Sequence, residues 1–186
     1  AIVHLDLAVK SVGYNIEEYQ QLVNTLGYAI QFVWRASRPK PHLKYFIGPG
    51  QLESIKEIIG TVKVDAVLFN VDLSAQNQAQ LEKVLDCQVL DRTEVILHIF
   101  ALHAHSFEGK LQVELAQLQH LATRLTRRWQ HLERQRGGGG FMAGPGEKQI
   151  EIDRRLINKR VKSIKQRIKK IALQREAARK NRKRGT

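Results

Sequence analysis

A glycine-rich segment, residues 134–148, holds the side chains best suited to contact a nucleic acid. Its sequence is RQRGGGGFMAGPGEK, with six glycines and one proline. Glycine lets the backbone approach a ligand closely and offer its N–H groups to phosphates or base edges. An aromatic ring here can stack on an unpaired base, and the neighbouring cations can contact phosphates. The predicted RNA-binding residues of this segment are Arg134, Arg136, Gly137, Gly138, Gly139, Gly140, Phe141, Met142, Gly144 and Lys148.

A flexible link between two helices is the competing interpretation of such a glycine run. A helical hairpin needs only about 2 to 5 residues to turn, and this segment is longer. It also carries two large apolar side chains, Phe141 and Met142, that a simple turn does not require. A binding role therefore explains its length and composition better than a link does.

Basic side chains continue beyond the glycine-rich segment. Residues 154–170 contain nine Lys and Arg, and only Glu151 and Asp153 lie within or beside that stretch. A solvated helix face normally mixes charges of both signs, so the imbalance favours an anionic partner. Phosphate contacts of this kind position a protein without reading sequence. The predicted RNA-binding set is completed by Arg154, Arg155, Lys159 and Arg160.

The excess positive charge is confined to one part of the chain. The 186 residues carry 31 Lys plus Arg and 18 Asp plus Glu, a net charge of +13. Residues 1–108 hold 9 of these cations and 12 of the acids, a net charge of −3, whereas residues 109–186 hold 22 and 6, a net charge of +16. Segregation of this kind is typical of a surface that binds a polyanion.

Two apolar repeats flank the glycine-rich segment and predict a helical hairpin. Steps of three and four residues, as in a coiled coil, separate Leu111, Leu115, Leu118, Ala122, Leu125, Trp129 and Leu132. The same steps separate Ile157, Val161, Ile164, Ile168 and Ile171. Because a short connection joins the two helices, we expect them to pack antiparallel.

The first 108 residues alternate short apolar runs with helical patterns, which predicts an α/β domain with a small, largely parallel sheet and crossover helices. Strands are expected at residues 3–7, 29–35, 65–70 and 88–90. Gly27 is expected to end the first helix, Ser74 to cap the third and Thr93 to open the fourth. The domain prediction is residues 1–108 for the α/β domain and 109–180 for the hairpin, with a tip loop at 135–147. Residues 181–186 are expected to begin a linker.

Several other chemistries receive little support. No GxxxxGK followed by Ser or Thr occurs, so the sequence holds no P-loop. Gly48 and Gly50 precede a helix and could face a phosphate, but a lone GxG is a weak signal. We predict no catalytic residues and no metal site, because His103 and His105, two apart on a helix, point in different directions. Two alternatives stay open: an α/β domain that binds ATP at its strand ends, and a hairpin that grips an acidic protein.

The remaining composition predicts a cytoplasmic protein, which we expect to be monomeric. No run approaches the roughly 18 apolar residues that span a bilayer, and the first residues do not resemble a secretion signal. The single cysteine, Cys87, cannot form an internal disulfide, which suits a reducing compartment. It lies in an apolar stretch, where a buried small side chain is a better interpretation than a reactive thiol.

Four ordered segments resemble a known family. They are YFIGPGQLESI, DLSAQNQAQLE, VLDRTEVILHIFALHAHSFEGKLQVELAQL and GGGGFMAGPGEKQIEIDRR. Together they are similar to the amino-terminal half of HflX-type ribosome-associated GTPases, and the likeness spans roughly residues 1–180. The resemblance implies an α/β domain, a two-helix arm and then a GTPase domain that uses GTP and Mg²⁺ and begins beyond this sequence.

The resemblance also implies a partner. Family members bind the large ribosomal subunit, with the loop of the arm near the peptidyl-transferase centre, and separate stalled or stressed ribosomes into subunits. Carried onto this sequence, it assigns residues 137–146, with Phe141 and Met142, to ribosomal RNA near that centre. The sequence departs from the family where IGPGQ replaces a glycine-lysine pair. Gln51 removes a positive charge there, which weakens a phosphate-binding role for that turn.

Overall fold

The chain, in a computed structural model, is described over residues 1–7, 15–38, 41–135 and 145–184. It consists of two compact units that divide between Leu102 and His103. We call the first unit the head and the second the arm. No helix in these described ranges is both long and apolar enough to span a membrane.

The head alternates four strands with four helices. Its elements are β1 (Ile2–Leu7), α1 (Ile16–Thr25), β2 (Val33–Arg38), α2 (Pro49–Thr61), β3 (Ala66–Phe69), α3 (Ala75–Leu85), β4 (Gln88–Leu90) and α4 (Arg92–His103). The strands pair in the order β2-β1-β3-β4, and every pairing is parallel. The predicted parallel sheet with crossover helices is confirmed.

One predicted strand was misplaced. The second strand was expected at residues 29–35, but β2 begins at Val33 and runs to Arg38. The cause is its register, because pairing with β1 starts where Ile2 meets Val33. Phe32 contributes only its carbonyl, which accepts a hydrogen bond from the Ile2 N–H at 3.0 Å.

Helices cover both faces of the sheet because successive strand residues point to opposite sides. On one face, Val67, Phe69 and Val89 pack in a cluster with residues of α2 and α3, namely Leu52, Ile55, Leu81 and Leu85. On the other face, Leu68 and Leu90 pack with residues of α1 and α4, namely Tyr19, Val23 and Val95. Half-buried Cys87 packs against the first cluster, and burial raises the pKa of its thiol. This fits the interpretation of Cys87 as a packed small residue.

Local signals in the sequence set several helix ends. The Asn15 side chain accepts a hydrogen bond from the Glu17 N–H at 3.0 Å and so caps α1. Gly27, with φ of +76°, follows the end of α1 in the left-handed conformation that favours glycine. The Ser74 hydroxyl accepts from the Asn77 N–H at 3.1 Å and caps α3. The predicted roles of Gly27 and Ser74 are confirmed.

The arm is made of two long helices, α5 (Phe107–Gln135) and α6 (Pro145–Arg184), of 29 and 40 residues. At about 1.5 Å per residue they are about 43 and 60 Å long. Their apolar seam is the predicted one, with Leu111 and Ile164 buried. The flanking seam positions Leu115, Leu118, Ala122, Leu125, Ile157, Val161, Ile168 and Ile171 are half-buried. The predicted seam residues Trp129 and Leu132 lie in α5, but their side chains are outside the described part.

Two ion pairs fix the direction of the helices. Glu114 of α5 pairs with Arg160 of α6 at 2.7 Å, and Glu108 pairs with Arg175. The earlier α5 residue therefore meets the later α6 residue, so the helices run antiparallel as predicted. The predicted tip loop, residues 135–147, is shortened from both sides. Gln135 belongs to α5, and residues 145–147 belong to α6.

Candidate nucleic-acid interface

The structure places the predicted RNA-binding residues in two groups. Eight of the fourteen, namely Arg136, Gly137, Gly138, Gly139, Gly140, Phe141, Met142 and Gly144, lie outside the described residues. Arg134 lies in the last turn of α5 and Lys148 in the first turn of α6, although their side chains are not described. Arg154, Arg155, Lys159 and Arg160 lie on α6, and all four are exposed.

Two of these four arginines and lysines already have acidic partners. Arg155 pairs with Glu151 one turn earlier at 2.5 Å, and Arg160 with Glu114 of the facing helix. The hydrogen bond that Arg160 donates to the Glu114 carboxylate raises the pKa of Arg160, which therefore stays charged. Within the described ranges, Arg154 and Lys159 form no ion pair. Their charge is the more available for an external anion.

Sequence reasoning missed one of the acidic partners. The Glu151–Arg155 pair has the four-residue spacing that places two side chains on neighbouring turns, so it can be read from the sequence. Glu114 is 46 residues away from Arg160 and meets it only because the hairpin closes in one register. No local pattern carries that information.

One side of α6 forms a row of cations, which we call the basic edge: Arg154, Lys162, Lys165 and Lys169. These residues fall within about 80° of one another around a helix of 3.6 residues per turn. They extend over about 22 Å along the axis, and all are exposed. None forms an ion pair with another described residue. The basic edge can therefore follow a row of phosphates.

The opposite flank of the seam is different. It carries the Glu114–Arg160 pair and three exposed aliphatic side chains, Leu121, Ile152 and Leu156. Leu121 lies two turns from Glu114 along α5, and Leu156 and Ile152 lie one and two turns from Arg160 along α6. In an antiparallel pair these steps lead toward the same end of the arm. The arm thus has one charged edge and one mixed edge.

The described strand ends of the head are occupied by their own polar groups. Buried Asp91 accepts from the Glu94 N–H at 2.9 Å and from the Leu73 N–H at 3.2 Å. The Thr93 hydroxyl donates to Asp72 at 2.6 Å, and Arg92 pairs with Glu18 at 2.6 Å. These contacts brace the start of α4. Carboxylates therefore lie at the strand ends, where a bound nucleotide would place its phosphates.

A buried tyrosine completes this side of the head. The Tyr19 hydroxyl donates to the Phe69 carbonyl at 2.6 Å, and the Arg92 guanidinium lies 5.7 Å from the ring centroid. Burial raises the pKa of Tyr19 well above its ordinary value, so the hydroxyl remains a donor. Its role is to hold α1 on the sheet.

The turn at Gly48–Gly50 is a capped helix start. Pro49 is the first residue of α2 and has no N–H, and the Gly48 N–H donates to the Gln51 side chain at 3.3 Å. Gln51 thus caps the first turn of α2. It stands at the position where the family resemblance led us to expect a lysine. Among the described residues, no cluster of three or more His, Cys, Asp or Glu side chains has a metal-binding arrangement.

Two family models cover most of the chain. The model of the N-terminal region of GTP-binding GTPases matches residues 13–101, and that of their middle region matches residues 103–182. The boundary between the two matches coincides with the division between head and arm. The chain thus has the N-terminal and middle regions of a GTP-binding GTPase.

Curated relatives identify the family. The chain is 45% identical over 181 residues to the GTPase HflX of Escherichia coli, covering 97% of this chain and 42% of the relative. It is 41% identical to the HflX of Magnetococcus marinus, covering 87% of this chain and 38% of the relative. The chain therefore belongs to the HflX GTPase family, and it spans about two fifths of the length of these relatives.

Solved structures support the fold. A GTP-binding protein from the archaeon Sulfolobus solfataricus, in complex with GDP, has a TM-score of 0.63 at 19% identity, covering 92% of this chain and 46% of that one. A second structure, a complex of SsGBP and GDP, has a TM-score of 0.70 at 21% identity, covering 95% of this chain and 45% of that one.

Proposed function

We propose that the arm is the RNA-binding element of an HflX-type GTPase and docks on the large ribosomal subunit, with its tip near the peptidyl-transferase centre. The observation that carries the proposal is the basic edge, a row of four exposed cations without acidic partners among the described residues. Splitting of ribosomes into subunits would follow from that docking. GTP and Mg²⁺ would act in a GTPase domain outside these 186 residues.

The contacts have two parts. The basic edge and Lys159 would neutralise phosphates, while Arg155 and Arg160 would contribute less because Glu151 and Glu114 already pair with them. The tip would add the specific contacts through Arg134, Arg136, Phe141, Met142, Lys148 and the intervening glycines. Phosphate contacts would set position, and the tip would select the site.

ATP binding by the head is the less favoured alternative. The described ends of β3 and β4 present Asp72, Asp91 and Glu94, and negative charge there opposes a triphosphate. Isothermal titration with ATP distinguishes the two functions. We expect no saturable heat from ATP, and no GTP hydrolysis by the purified chain, because its sequence holds no P-loop.

Replacing the tip aromatic tests the proposal. Loss of one stacked base costs about 1 to 3 kcal/mol, so Phe141→Ala should weaken binding to isolated large subunits about 5-fold to 150-fold. The dependence of binding on salt should not change, because no charge is removed. The matched control is Phe100→Ala, which removes a 55% exposed phenylalanine from α4. It should bind as the unchanged chain does.

A chemical footprint on the same subunits locates the contact. Protection of nucleotides in the peptidyl-transferase region, lost with Phe141→Ala, is the expected result. Equal binding and an unchanged footprint in both variants would remove the tip from the proposal, and failure of the unchanged chain to bind would refute it entirely.

A further inference from the structure

A small loop of the head, residues 42–46, is held by several internal hydrogen bonds, and we call it the finger. His42 and Phe46 exchange two backbone hydrogen bonds, each 2.9 Å long. The His42 Nδ1 accepts from the N–H groups of Lys44 and Tyr45, each at 3.3 Å. The His42 ring also stacks on Tyr45 with centroids 5.9 Å apart. The finger therefore holds its own shape.

A buried side chain fixes the finger to the rest of the head. Asn77, at the start of α3 and only 7% exposed, donates from its amide nitrogen to the carbonyls of Leu43 at 2.9 Å and Lys44 at 3.0 Å. The hydroxyl of Ser74 contacts the other end of the same amide. One buried amide group thus holds the backbone of Leu43 and Lys44 in place, and we call this contact the clamp.

The finger combines a strained backbone with core packing, because the half-buried side chains of Tyr45 and Phe46 pack against the core cluster of the head. Phe46 has φ of +67°, in the left-handed region where a bulky aromatic residue is rarely found. Strain of this kind persists only where the surroundings hold it, and it is concentrated at functional positions. At the tip, Leu43 is 94% exposed, and the Lys44 ammonium lies 4.9 Å from the Tyr45 ring centroid. The finger presents these two side chains to solvent.

The sequence on both sides of the finger is basic. Residues 19–52 contain no Asp or Glu, yet they hold four of the nine cations of the first 108 residues: Arg35, Arg38, Lys40 and Lys44. The rest of that stretch of 108 residues is therefore strongly acidic. A segment that holds cations and no acidic side chains favours an anionic partner over a cationic one.

We propose that the finger is a second RNA contact, in which Lys44 binds a phosphate and Leu43 packs on a ribose or a base. The inference rests on the proposed RNA-binding function and extends it from the arm to the head. RNA is favoured over a protein partner because a leucine and a lysine cover far less than the roughly 1,200 Å² that a stable protein interface buries. A single phosphate contact with one apolar contact needs no larger surface.

Three variants test the finger on isolated large subunits. Lys44→Gln should weaken binding on the order of threefold to tenfold and lower the slope of log affinity against log salt by about 0.7 to 0.9. Leu43→Ser should weaken binding with the slope unchanged. Asn77→Asp keeps the size of the clamp but sets a carboxylate against two carbonyls, so it should weaken binding without removing a cation. A thermal melt verifies that each variant remains folded.

The controls separate the possible failures. Lys56→Gln removes an exposed lysine from α2 and should bind as the unchanged chain does. Equal effects of Lys44→Gln and Lys56→Gln would reject the finger, while binding by the unchanged chain would still support the proposed function. The same measurements on protein-free large-subunit RNA address the partner. If Lys44→Gln weakens binding to intact subunits and not to the RNA, the finger contacts a protein and the inference is wrong.

Discussion

The head and the arm satisfy their polar groups in opposite ways. In the head, buried polar atoms bind one another, as Tyr19 binds the Phe69 carbonyl and Asp91 binds the first turn of α4. In the arm, a narrow apolar seam is the main internal contact, and most charged side chains are exposed. These buried groups of the head are thus satisfied internally, whereas the arm leaves most of its charge exposed to solvent.

The seam should hold the arm together almost alone, so breaking it should have the largest effect. Ile164 is fully buried in the middle of α6, and Ile164→Ala should lower the free energy of unfolding of the arm by about 2 to 5 kcal/mol. With Trp34 of the head replaced by Phe, Trp129 of the arm is the single tryptophan, and its fluorescence reports urea unfolding of the arm.

Leu173, on the same helix and 58% exposed, provides the control. Leu173→Ala should change the free energy of unfolding by less than about 0.5 kcal/mol. If both variants shift the unfolding midpoint equally, the seam is not the main internal contact of the arm.

The second-largest effect is expected from removing cations, which should change the salt dependence of binding when they are taken from the arm and not when they are taken from the head outside the finger. Lys162, Lys165 and Lys169 belong to the basic edge, and changing all three to Gln should lower the slope of log affinity against log salt by about 2 to 3 for binding to large subunits. The matched triple, Lys56, Lys63 and Lys83 to Gln, removes the same charge from exposed positions of the head. It should leave the slope nearly unchanged. Equal slopes for the two triples would show that only net charge matters, and the contrast between head and arm would be lost.

The smallest expected effect concerns the buried hydrogen bond between Tyr19 and the Phe69 carbonyl in the head. Tyr19→Phe leaves the Phe69 carbonyl without its buried donor and should cost about 1 to 3 kcal/mol in the stability of the head. RNA binding should not change. Tyr28→Phe removes a hydroxyl from a 42% exposed tyrosine and should cost less than about 0.5 kcal/mol. Urea midpoints of the two variants check this. A loss of RNA affinity in Tyr19→Phe would contradict a purely internal role for this hydrogen bond.

The sequence predicted the parts of the fold that depend on local pattern. The seam of the arm and the alternation of strands and helices follow from spacing, and Gly27 and Ser74 end or begin helices for local reasons. The strand order did not follow, because it depends on which strands pair across long loops. The start of β2 was missed for the same reason, since its register with β1 sets it.

The candidate sites also differ in whether they depend on local pattern or on contacts between distant segments. The basic residues of α6 were visible as an unbalanced run of charge, and the structure adds which of them pair with acids. The finger could not be predicted from the sequence, because Asn77 holds Leu43 and Lys44, which lie 34 and 33 positions earlier in the chain. A left-handed phenylalanine leaves no mark in composition or periodicity. Such features become visible only when distant segments are in place.

The length of α6 has a mechanical consequence. The helix continues without a break from Pro145 to Arg184, beside the glycine-rich segment at one end and running toward the end of the sequence at the other. A rod about 60 Å long acts as a lever, so a tilt of about 10° at one end displaces the other by about 10 Å. A small rotation at the carboxyl end of α6 would thus produce a large displacement at its amino end. The two ends need not touch for this to happen.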